Sequence, residues 1–307
     1  MGLAMLGAVS QGILWGVMVL GVFITYKLLD IADLTVDGSF ALGGSVCAVL
    51  VVSGVDPVLA IFAAMLAGMI AGAVTGFLHT VFEIPAILAG ILTQIALWSV
   101  NLRIMGKSNT PLLRVDTLFS SVTDATGLPQ NVASIIVALY WFFGTEIGSA
   151  CRATGNNEAM VRALGVDTKV TKMIALTLSN GLVGLSGGLI CESQGYADIG
   201  MGTGAIVIGL AAIVIGEVLG RLTPGKLRSF GSRLTAAVVG SVVYFLIRAI
   251  VLQLGMDAND MKLISAVIVA LALCIPVVWE KYQLRRAYAR SAKAAPATPA
   301  ANSEGGR

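Results

Sequence analysis

Apolar residues in this chain come in runs of roughly 15 to 23, the length a helix needs to cross the core of a bilayer. Nine such runs stand out: Leu3–Tyr26, Gly38–Val52, Val58–Leu78, Ile84–Leu102, Val132–Ile147, Met173–Ile190, Ala205–Leu219, Leu234–Leu252 and Leu263–Trp279. They predict an all-α, polytopic transmembrane helix bundle of about nine spans, within a range of roughly eight to ten. The second and seventh runs are short enough for a broken or partly re-entrant helix, which lipid tolerates only where the irregular backbone is buried in protein. On this pattern residues 1–280 form one membrane domain, interrupted by an outer polar segment over 105–131 and an inner one over 148–172. A basic interfacial stretch follows at 281–293, and an Ala/Pro/Ser-rich tail with little to bury, expected to be disordered, at 294–307.

Composition excludes a soluble fold. Of the 307 residues 57% are hydrophobic and 12% charged, with a mean hydropathy of +0.89, and a soluble domain carries about twice that share of charge. The 36 glycines lie inside apolar runs without a third-residue period, so they predict close helix packing rather than collagen or linker. Gly68, Gly72 and Gly76 share one face of the third run, as Gly12 and Gly16 do in the first and Gly184 and Gly188 in the sixth. The first run has no basic leader before it and predicts a retained span, not a cleaved signal. With the N-terminus outside, nine spans leave the C-terminus in the cytoplasm, and fifteen of the 20 Lys and Arg residues then lie inside. That bias is the positive-inside pattern. Trp279, Tyr282 and Tyr288 flank the basic stretch from Lys281 to Arg290 as expected interfacial anchors at anionic headgroups. No nucleic-acid role is predicted for it.

Four scattered cysteines and a lone His79 offer no metal-ligand spacing. No catalytic, metal or cofactor site is predicted. Gly220-Arg-Leu-Thr-Pro-Gly-Lys226 copies the spacing of a phosphate-binding loop, yet Leu227 replaces the hydroxyl that would hold magnesium, so the chain is not expected to hydrolyse ATP. Polar residues inside spans say more, since lipid makes them expensive. Thr93, Gln94, Ser179 and Asn180 are candidates for a translocation path, with interhelical hydrogen bonding as the competing reading of Gln94 and Asn180. Arg248 sits in the eighth run with no partner evident. Asp33 and Asp37 precede the second run, where Asp37-Gly38-Ser39 is expected to turn or cap into the next helix. In the inner segment Asn156 or Asn157 is expected to cap a short amphipathic helix over about 156–164, which Gly165 stops before Asp167 or Thr168 caps the next span. Glu158 opens that helix, Met160 and Leu164 share one side, and Arg162 points from the other, a form suited to insertion into the cleft of a soluble partner.

This inner segment, Arg152-Ala-Thr-Gly-Asn-Asn-Glu-Ala-Met-Val-Arg-Ala-Leu-Gly-Val-Asp167, resembles the membrane permeases of bacterial ATP-binding-cassette importers of the branched-chain amino-acid and ribose class. The runs Asp33-Leu-Thr-Val-Asp-Gly-Ser-Phe-Ala-Leu-Gly-Gly44 and Gly202-Thr-Gly-Ala-Ile-Val-Ile-Gly-Leu-Ala-Ala-Ile-Val-Ile-Gly-Glu217 resemble the same class, and Ile104-Met-Gly-Lys-Ser-Asn-Thr-Pro-Leu112 is most similar to permeases labelled for tryptophan or tyrosine transport. The resemblance implies a bacterial inner-membrane location and a small polar solute, such as an amino acid. It also implies a second permease copy or a related permease, a cytoplasmic ATPase dimer, and a periplasmic or lipid-anchored solute-binding protein. By the same resemblance, Asn156, Asn157, Glu158, Met160, Arg162, Leu164 and Gly165 would form the coupling helix on the ATPase. The segment 105–131 would lie near the binding protein. An ion-coupled secondary transporter is the alternative.

Overall fold

The computed structural model describes residues 2–112, 127–222 and 229–253, with isolated positions between 263 and 285. The chain runs through α1 (Gly2–Phe23), which widens into a π turn over Ile24–Leu28, then α2 (Thr35–Val52), α3 (Pro57–Thr80) and α4 (Ala86–Met105). Strand β1 (Asn109–Pro111) precedes α5 (Gly127–Gly144), α6 (Glu146–Asn156), the short α7 (Glu158–Ala163) and α8 (Thr168–Gln194). Strand β2 (Tyr196–Asp198), a 3-10 turn (Ile199–Gly202), α9 (Ala205–Leu222) and α10 (Phe230–Gln253) complete it.

Among the described residues seven helices are long and apolar enough to cross a membrane: α1 to α4, α8, α9 with its leading turn, and α10. The fifth and ninth runs of the sequence are not among these seven. The fifth run breaks before Ile147: the 18-residue α5 stops at Gly144, and Thr145 caps a new helix by accepting the Gly148 N–H at 3.3 Å. The ninth run, like most of 281–293 and all of 294–307, lies outside the described residues except for isolated helical positions. So do 113–126 of the outer segment and 223–228 of the basic loop.

Helices α1, α2 and α8 form the heart of the bundle, each with 72% of its apolar window buried, against 39% for α3 and 28% for α4. Small residues make this closeness possible. A Cβ on Gly72 would strike the Leu176 carbonyl, one on Gly68 the Asn180 carbonyl, and one on Gly184 would come within 2.6 Å of the Ala64 carbonyl. Gly76 faces Met173, and a Cβ on Gly188 would meet that of Ala64 at 3.1 Å. All five glycines therefore sit on the α3–α8 contact, where side chains would hold the backbones apart. Gly12 and Gly16 do the same for α1 against Val242 and Val238 of α10.

The outward sides of α3 and α4 carry Leu59, Phe62, Leu66, Ile70, Leu92 and Ile95, each about half exposed or more. In water such a face would be costly; in a bilayer it is the ordinary lipid or subunit surface. At the opposite end from α7, β1 and β2 pair antiparallel, Thr110 against Ala197, tying the α4 exit to the α8–α9 connection.

Candidate functional site

Two polar clusters among the described residues hold the expected path residues and their neighbours. The first centres on Asn180, fully buried and 12 residues into α8, about 18 Å along its axis. Its Nδ2 donates to Asp33 Oδ2 at 2.7 Å and to the Leu176 carbonyl at 3.1 Å, while its Oδ1 accepts from Ser39 Oγ at 2.7 Å. Asp33 Oδ1 accepts the Thr35 N–H at 2.9 Å, starting α2, and the Thr35 and Thr75 hydroxyls share a bond of 2.8 Å that reaches α3. Each carbonyl, amide and carboxylate oxygen of this knot has a partner within the chain, so it binds α2, α3 and α8 together.

The structure distributes the four expected path residues unevenly. Ser179 donates to the Gly21 carbonyl at 2.7 Å and Thr93 to the Ala89 carbonyl of its own helix at 3.0 Å; both are buried. With Asn180 they are tied inside the single chain. Gln94, one position and about 100° further round α4, instead lines a second cluster.

This second cluster is a small cavity of about 40 Å³ between α2, α4 and the turn leading into α9, lined by Asp37, Gln94, Trp98, Asn101 and Thr203 among others. Asp37 does not cap the helix that follows it, as its sequence context suggested. Thr35 has already begun α2, and the Asp37 carboxylate reaches across to α9, accepting the N–H of Gly204 and that of Ile206 at 2.9 Å each. Gly204 supplies the left-handed backbone, φ 85°, that aims those N–H groups at the carboxylate. The seventh span is thus a helix started by a carboxylate from α2, with a tight turn before it, within an otherwise apolar run. Asn101 is 1% exposed and its Oδ1 has no hydrogen-bond partner. Trp98 and Thr203 are exposed at the mouth.

At the end of the bundle marked by α7, local capping follows the sequence closely. Asn157, not Asn156, caps α7, its Oδ1 accepting the Met160 N–H at 3.0 Å; Asn156 is the exposed last residue of α6. Gly165 takes φ 84° and ends the turn, and Asp167 caps α8 by accepting the Lys169 N–H at 2.9 Å. Val161 anchors the helix inward at 2% exposure, while Met160 and Leu164 stand 53% and 72% exposed. Glu158 holds it to α8 through Lys172 at 2.7 Å and Thr168 at 3.1 Å, and meets Arg162 at 2.9 Å. The Lys172 bond holds the Glu158 carboxyl below the usual range. Beside it a polar cavity of about 870 Å³ is lined by Tyr26, Lys27, Asp30, Arg152 and Arg233. His79 near this end bonds the Ile84 carbonyl through Nδ1 at 2.8 Å. Arg248 lies 5.8 Å from the Phe245 ring centroid. Among the described residues no cluster of three metal-ligating side chains occurs.

A buried helical heart and a lipid-type outer face together define a polytopic membrane protein. Residues 4–274 match the family model described as branched-chain amino acid transport system / permease component, and the chain belongs to that family. It is 38% identical to a tyrosine transport system permease protein of Clostridioides difficile, over 86% of this chain and 88% of the relative. It is 32% identical to an uncharacterized protein of Rickettsia prowazekii, over 87% and 95%. A ribose import permease protein of Escherichia coli is 29% identical over half of each chain.

Proposed function

We propose that the chain moves an amino acid across the inner membrane of a bacterium as one of two permease subunits of an ATP-binding-cassette importer, served by an ATPase dimer and a solute-binding protein. Family membership over residues 4–274 is the observation that carries this reading. The 38% identity to a tyrosine permease makes L-tyrosine the first solute to try. The N-terminus lies outside and α7 inside, where Lys27, Arg152, Arg162, Lys169, Lys172 and Arg233 gather. Met160 and Leu164, exposed on a helix whose other side is held by Val161 and Glu158, seat in the ATPase, with Asn157 and Gly165 fixing the two ends. The solute path runs along the face onto which Gln94 opens. A carboxylate, two amides and a hydroxyl lining a cavity in a spanning face are costly toward hydrocarbon and suited to water or a polar solute.

The test is reconstitution of the chain with its ATPase and binding protein in liposomes. L-Tyrosine uptake that requires ATP is the expected result. Uptake by the chain alone, driven by an ion gradient, overturns the proposal in favour of a secondary transporter. Replacing Glu158–Leu164 by a Gly/Ser linker should abolish ATPase co-purification; unchanged assembly and uptake would remove α7 from the coupling role.

A further inference from the structure

We infer that the cavity between α2, α4 and the α9 turn is a cation subsite that takes the ammonium group of the passing solute. The inference rests on the permease reading above and adds to it the part of the solute that is recognised. Several of the groups lining it offer acceptor oxygens. Asp37 brings a carboxylate whose described partners are the N–H groups of α9 and no basic side chain. Asn101 brings a carbonyl oxygen that is buried and unpartnered, in a protein interior where such an oxygen normally finds a donor. Gln94 adds a second amide, and Trp98 an aromatic face at the mouth, which attracts cations through its quadrupole. A carboxylate, an unpartnered amide oxygen and an aromatic ring line one cavity, and a positively charged donor would satisfy them together.

Size narrows the occupant. About 40 Å³ accommodates one small group, such as an ammonium, and not a whole amino acid. The remainder of the solute would stay outside the mouth, beside Trp98 and Thr203. Three acceptor groups and a ring hold an ammonium without enclosing the molecule, which suits a contact that must release its solute at every cycle. The α9 N-terminus adds its positive end to the same carboxylate, so Asp37 is partly neutralised and the hold is weakened further.

The experiment uses the exposed Thr203 as a reporter. A Thr203→Cys chain, assembled with its partners in liposomes, is labelled with a cationic aminoethyl and an anionic sulfonatoethyl methanethiosulfonate, and rates are corrected for the chain without the new cysteine. The cationic reagent is expected to react about tenfold faster. Asp37→Asn or Asn101→Leu, added to Thr203→Cys, should reduce that preference towards unity, and methylammonium should protect the cysteine where equimolar sodium does not. Equal rates for the two reagents, labelling by neither, or a preference that survives both substitutions overturns the subsite. Protection by sodium alone overturns the ammonium assignment and identifies an alkali-ion site. Failure of ATP-driven uptake with the cation preference intact defeats the importer reading, whereas intact uptake without the preference defeats only the subsite.

Discussion

The Asn180 knot and the Asp37–Asn101 cavity are built from the same residue types, a carboxylate and a carboxamide inside apolar spans, yet they end in opposite states. Around Asn180 the amide and both facing oxygens are used up: Asp33, Ser39 and Leu176 take its polar atoms, and Gly68 and Gly72 let α3 close over it. Around Asp37 the carboxylate starts a helix, Asn101 Oδ1 is left without a donor, and Trp98 and Thr203 lie exposed. Polarity within a span therefore does not by itself mark a path. The informative property is whether the hydrogen-bonding capacity is spent inside the chain. A closed knot holds helices together; an open one has capacity left for something that arrives.

The widest separation between the two should come from size. Gly72→Leu forces a side chain against the Leu176 carbonyl, and overpacking against backbone is expected to cost about 3 kcal/mol. In a chain of this length that is a fall of roughly 5 °C in the melting midpoint of the detergent-solubilised protein. A midpoint unchanged within error would mean that α3 and α8 are not in contact as described.

Next comes Asn180→Leu, close in volume, which strands Asp33 Oδ2 and Ser39 Oγ. About 2 kcal/mol is expected, or roughly 3 °C. The matched change in the open cluster, Asn101→Leu, removes an oxygen with no partner to lose and should shift the midpoint by less than about 2 °C. If the two substitutions cost the same, the distinction between closed and open clusters fails.

Smaller effects are expected at α7, outside the spans. Asn157→Ala removes its cap and should cost about 1 kcal/mol locally, visible as faster amide exchange over 158–164 with little change in the global midpoint. The Glu158 tie has a pH signature. Its folded carboxyl is depressed from 4.5, foremost by the Lys172 bond. The stabilisation is therefore fully present above about pH 4.5 and is lost as pH falls through the lower folded value. A fluorophore on Leu164→Cys should keep its anisotropy from about pH 8 to 5 and lose it only in more acidic solution. In a Lys172→Met background the loss should begin at a higher pH, since the depression is then relieved. An anisotropy that changes near neutrality would show that another group governs the helix.

How much of this was legible in the sequence depends on how far apart the partners lie. Asn157, Gly165 and Asp167 act within three residues of themselves, and the caps at both ends of α7 follow from their spacing. The face shared by Gly68, Gly72 and Gly76 is also local, being a property of one helix. Asp37 was legible only as a cap of some kind: its helix starts 167 residues later, and nothing nearby distinguishes that carboxylate from one serving its own turn. The partners of Asn180 lie 147 and 141 residues away. Thr93 and Gln94 were indistinguishable as neighbours in the chain, and one step around α4 separates a hydroxyl bonded to its own backbone from an amide in the cavity. Asn101 had a weaker signal, as a carboxamide near the end of a span. What betrays it is an unfilled valence in three dimensions, which no periodicity encodes.

Helix α9 carries one mechanical consequence. It is an 18-residue rod, about 27 Å long, pinned at its start by the Asp37 carboxylate of α2 and near its far end by Glu217, which pairs with Lys27 after α1 at 2.8 Å. A pivot about the far end strains the two N–H bonds to Asp37, whereas a pivot about the start strains only the partly exposed Lys27–Glu217 pair. Rocking that keeps the Asp37 contact must therefore move the start of α9 with α2, and the end facing Lys27 is the freer of the two.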